Sequence, residues 1–116
     1  MDDAFSTERF LREQLDLTRQ TWQRLQEHGV SDGVELKLDF FYAAPTNALA
    51  TELSRFFERE TDYETRVTAD QDQWIVRGHT QRAPLTLAIL QQWVDWMISA
   101  GLHFGCVFDG WGAEAP

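Results

Sequence analysis

From Glu8 to about His28 the apolar residues Phe10, Leu11, Leu15, Trp22 and Leu25 recur mostly three, four or seven positions apart. Charged and amide residues fill most of the intervals, so the spacing predicts an amphipathic helix within residues 1–29. Ser6 stands where an N-cap hydroxyl would accept from an orphan amide, and Gly29 where such a helix would stop. After the turn sequence Ser31-Asp32-Gly33 the period changes to two: Val34, Leu36, Leu38, Phe40 and Tyr42 alternate with Glu35, Lys37, Asp39 and Phe41. That predicts one strand with one buried face. Phe41 is an aromatic on the otherwise charged side, placed to cover the sheet edge, to pack under the N-terminal helix or to join an exposed contact patch.

Pro45-Thr46 opens a second helix to about Glu60, striped by Leu49, Leu53, Phe56 and Phe57. Two short strands, Tyr63 to Ala69 and Gln73 to Thr80, form a hairpin around Asp70-Gln71-Asp72. Pro84 precedes a third helix, Thr86 to Ala100, with Leu87, Leu90, Trp93, Val94, Met97 and Ile98 on a broad apolar face and Gly101 as its stop. The last predicted strand is His103 to Phe108. A helix followed by β-α-β-β-α-β is the split-βαβ, ferredoxin-like pattern, spanning residues 34–112. The expected fold is α+β: a four-stranded antiparallel sheet carrying two helices on one face, with the N-terminal helix added. With no internal repeat or linker, residues 1–116 are expected to form a single domain.

Charge narrows the partners. The chain has 10 Lys and Arg against 19 Asp and Glu, for a net charge of −9. Arg82 is the last basic residue, whereas Asp95, Asp109 and Glu114 follow it. Phosphate backbones are gripped by clustered cations, so nucleic acid and anionic membranes are disfavoured and a basic protein segment fits better. Negative charge also serves solubility alone. No apolar run approaches the roughly 20 residues of a membrane span, and the acidic N-terminus lacks a secretion-signal layout. The single Cys106 cannot pair internally, and a reducing cytoplasm is the expected compartment.

Little catalytic chemistry emerges from the motifs. On a strand, His103 and Cys106 would point to opposite faces, and Cys106, between Phe104 and Phe108, reads as a small core residue. His79 and His103 could face each other on the sheet, but two imidazoles make a poor metal site. Asp70 and Asp72 sit at a hairpin tip, where Asp serves turn geometry. No phosphate loop or nucleophile elbow is present, so no catalytic residue, metal or cofactor is expected.

The tail Phe108-Asp109-Gly110-Trp111-Gly112-Ala113-Glu114 sets a large aromatic between two glycines. Glycine opens backbone conformations closed to other residues, and Asp109 can accept from the amides that follow it. Trp111 either folds back to lock the C-terminus or stands out as an interface anchor ringed by acids. Residue type favours the first, because burial is the commoner fate of so large an apolar group.

Val107-Phe108-Asp109-Gly110-Trp111-Gly112 resembles the C-terminal aromatic-Asp-Gly-Trp-Gly signature of the regulator of ribonuclease activity B family. Phe40-Phe41-Tyr42 ending a strand, Trp74-Ile75-Val76 leading another, and the long last helix are similar to that family over most of the chain. The resemblance implies a small acidic ferredoxin-like protein, not an enzyme, that binds ribonuclease E or a related ribonuclease and restrains RNA cleavage. The nuclease's arginine-rich non-catalytic segments would suit an acidic partner. Here Ala113-Glu114-Ala115-Pro116 replaces a longer acidic extension. The expected protein-binding residues are Asp109, Trp111 and Glu114, with Gly110 and Gly112 shaping the backbone. The rival readings are the same domain serving another protein, or a small-ligand binder or enzyme built on His79 and His103.

Overall fold

The computed structural model describes residues 7–113. The elements are α1 (Thr7–Glu27), β1 (Glu35–Leu36), β2 (Leu38–Ala44), α2 (Asn47–Glu60), β3 (Glu64–Asp70), β4 (Gln73–His79), β5 (Ala83–Pro84), α3 (Leu87–His103) and β6 (Val107–Ala113). The fold is α+β, and its main sheet is antiparallel with strand order β3-β4-β2-β6.

Local chemistry explains most of the helix ends. The hydroxyls of Thr46 and Thr86 accept from the amides of Leu49 and Ile89, each at 3.2 Å, which starts α2 and α3. Gly29, at φ 99°, closes α1 while the Val30 amide reaches back to the Leu25 carbonyl at 3.0 Å. The proposed Ser6 cap lies outside the described residues.

The alternation along β2 turns Leu38, Phe40, Tyr42 and Ala44 inward, where they are buried with Val76, Phe57, Val94, Met97 and Phe108. Phe40 sits at the centre of an aromatic cluster, 5.4 Å from Phe57, 5.6 Å from Tyr63 and 6.3 Å from Trp93. Helix α2 covers β2, β3 and β4; α3 covers β6; α1 packs on α3. A second cluster joins Trp22 of α1 to Leu36, Leu38, Leu85 and Leu90.

Three sequence expectations need correction. The single strand over Val34–Tyr42 is two strands, because its partner changes at Leu38. There the Thr80 hydroxyl accepts from the Leu38 amide at 3.0 Å, and Leu36 pairs instead with Ala83 of β5. Gly101 does not stop α3: the helix runs on to His103 and ends at Gly105, φ 72°, where the Cys106 amide donates back to the Gly101 carbonyl at 2.8 Å. Gly101 is required for packing, since a Cβ there would lie 2.5 Å from the Tyr42 ring and 2.9 Å from the Cys106 carbonyl oxygen. The last strand is therefore not His103–Phe108 but Val107–Ala113, so the aromatic-glycine tail is itself the edge strand.

Candidate functional site

Strand β6 carries one extra residue. Phe108 pairs with Tyr42 and Gly110 with Phe41, which leaves Asp109 without a partner across the ladder. This is a β-bulge, and Gly110 adopts φ 117° within it. A bulge reverses the alternation of every side chain that follows. Without it Trp111 would point opposite to Phe108; with it Trp111 lies across from Phe40 on the inner face, and Ala113 across from Leu38. Asp-Gly before the Trp is thus a device that turns the indole inward.

Trp111 is half-buried, and its Nε1 donates to the Thr18 hydroxyl of α1 at 3.0 Å. Its ring meets Trp93 of α3 edge to face at 6.4 Å. Trp93 in turn donates to the Tyr63 hydroxyl at 3.0 Å. One side chain therefore ties the edge strand to the N-terminal helix and the last helix. Thr18 is a buried polar residue whose hydroxyl this bond satisfies, and sequence reading missed it. The signal was there: a threonine sits between Leu15 and Trp22 at the spacing of the buried stripe.

Asp109 is exposed. Its expected role as an acceptor for the following amides is not seen: among the described residues its carboxylate has no hydrogen bond or ion pair. A Cβ at Gly110 or Gly112 would meet nothing within 4 Å, so Gly110 is required for its backbone angle rather than for space. Glu114 lies outside the described residues.

The histidines do not converge. His103 ends α3 with its ring 5.0 Å from Phe104, whereas His79 lies on β4 with Nε2 3.6 Å from Glu64 Oε2. The expected meeting of His79 and His103 on the sheet fails because His103 is helical. Among the described residues no group of three or more metal-capable side chains is present, and no helix is long and apolar enough to cross a membrane.

Cys106 is fully buried, as expected of a core residue, although in the turn between α3 and β6. Burial, with Glu52 adding to it, pushes its thiol up to about 11 from an ordinary 9.0. Between those values the unfolded chain has released a proton that the fold retains, so this group's contribution to stability falls as pH rises through the window. Replacing Cys106 with Ala is expected to destabilise the protein at pH 8, and the melting-temperature gap to wild type should narrow towards pH 11. A gap constant from pH 8 to 11 would refute this.

Fold and site define a helix-covered, open-faced sheet whose C-terminal edge strand is latched by a tryptophan. A family model for regulator of ribonuclease activity B matches residues 15–113, and the chain belongs to that family. No curated protein matches the chain. Members of the family are regulators of ribonuclease activity.

Proposed function

We propose that this protein is a non-enzymatic regulator that binds ribonuclease E and meets it along strand β6, with Asp109 as the contact carboxylate. The observation carrying the reading is that Asp109 stands unpaired on an exposed edge strand, projected by the bulge it forms with Gly110. Such a carboxylate suits a guanidinium of a basic protein segment. Gly110 provides the bulge, Gly112 keeps the strand edge small, and Glu114 follows as a second acid. Trp111 acts here through position: its Nε1 is engaged by Thr18, so it holds β6 in place while the acids make contact.

Binding of purified ribonuclease E should weaken with added salt, which screens charges beyond a Debye length of about 8–10 Å. Asp109→Asn and Glu114→Gln should each weaken it by about 0.2–1 kcal/mol, at most roughly fivefold in Kd, and flatten its salt dependence. Asp109→Asn should leave the melting temperature unchanged, because its side chain holds nothing. Salt-independent binding that ignores both substitutions would reject the electrostatic contact. No binding at all would shift the reading to another protein partner.

A further inference from the structure

The sheet face opposite the helices is organised in rows. Across the strands run Glu64–His79–Asp39, then Arg66–Arg77–Phe41, then Thr68–Ile75–Ala43–Val107. In the middle row two arginines are directly opposed in the β3–β4 register, a like-charge pairing that costs stability on a sheet. Neither has a carboxylate within ion-pair distance among the described residues, despite the excess of acids elsewhere. Arg77 lies over the Phe41 ring at 5.5 Å. Asp39, Phe41, Glu64, Arg66, Arg77 and His79 line a groove of about 430 Å³, a size typical of small-ligand sites. Phe41 thus neither covers an edge nor packs under α1; it belongs to this open face.

The geometry points to a site for one nucleotide of a single-stranded polynucleotide. A backbone phosphate bridges Arg66 and Arg77, the base stacks against Phe41, and Asp39 and Glu64 accept hydrogen bonds from amino groups on the base edge. Stacking on sheet aromatics with cations alongside is the general chemistry of single-strand recognition. An acidic peptide fits worse, because a run of carboxylates brings no ring to stack against Phe41. A basic peptide would meet the arginine pair. Net charge alone argued against nucleic acid, but it averages over faces, and this face concentrates two unpaired cations beside an aromatic ring. The same charge keeps the binding weak and confined to one or two phosphates.

The test is an NMR titration of the full chain with hexa-adenylate RNA, its deoxy counterpart and a hexa-aspartate peptide. Shifts from the oligonucleotides should cluster on Asp39, Phe41, Arg66, Arg77 and His79, with a salt slope of about −0.7 per phosphate engaged. Binding by either strand supports the site, and the tighter one names its natural strand. The double variant Arg66→Gln, Arg77→Gln should bind about tenfold more weakly, while its melting temperature holds or rises because a like-charge pair is gone. Phe41→Leu should weaken binding roughly fivefold or more through lost stacking. Shifts absent from this face, undiminished binding by the folded double variant, or tighter binding of hexa-aspartate would each overturn the proposal. The ribonuclease is not in the assay, so this outcome is independent of the Asp109 contact.

Discussion

Replacing Trp111 with Ala is expected to lower stability by about 3 kcal/mol, the lower end for truncating a Trp because the ring is half-buried. For a chain of this size that is a fall of roughly 10–20 °C in melting temperature. Three losses combine: the edge contact with Trp93, the bond to Thr18, and cover over the inner end of β6. Trp111→Phe keeps most of the ring but strands the Thr18 hydroxyl, and should cost about 1–3 kcal/mol. Thr18→Val removes the other half of the bond, so the double variant Thr18→Val, Trp111→Phe should be less destabilised than the sum of the singles. Ribonuclease binding by Trp111→Ala should fall together with stability, because β6 loses its tie to α1. An unchanged melting temperature with binding abolished would make Trp111 a direct contact and reject the latch.

Gly101→Ala is expected to destabilise by about 1–3 kcal/mol through overpacking, even though Ala is the better helix former by roughly 1 kcal/mol. The sign follows from the contact. A Cβ at 2.5 Å from the Tyr42 ring forces movement, and Tyr42 is pinned because its hydroxyl donates to the Met97 carbonyl at 2.6 Å. Burial drives the Tyr42 phenol well above its ordinary pKa, as befits a neutral donor inside the core. Enlarging the space by Tyr42→Leu should make the Gly101→Ala step cheaper in a double-mutant cycle. A neutral or stabilising Gly101→Ala, read from urea midpoints, would mean that α3 can shift away from the sheet.

The position of this fold in the chain's own pattern was legible wherever the determinant is local. Periods of three to four residues marked α1, α2 and α3; alternation marked which face of β2 is buried; Thr46, Thr86 and Gly29 act on amides and carbonyls only a few residues away. The α+β order followed from these. The tail was recognised as unusual from Trp111 between two glycines, and its family from the same residues.

What tertiary structure decided are the choices between equivalent local signals. Gly101 reads as a helix stop in sequence, and Gly105 follows four residues later. Close approach of Tyr42 keeps the first inside α3, and the second takes the positive φ. Val34 to Tyr42 is one alternating run, but a strand exists only with a partner, and the partner departs at Thr80. Which face Trp111 takes depends on the bulge at Asp109, a property of the register between β2 and β6 rather than of either strand alone. Arg66, Arg77 and Phe41 lie on three separate strands, and only sheet pairing sets them in one row. In each case the deciding energy is a contact between residues distant in sequence, whereas periodicity and capping report only the preferences of neighbours.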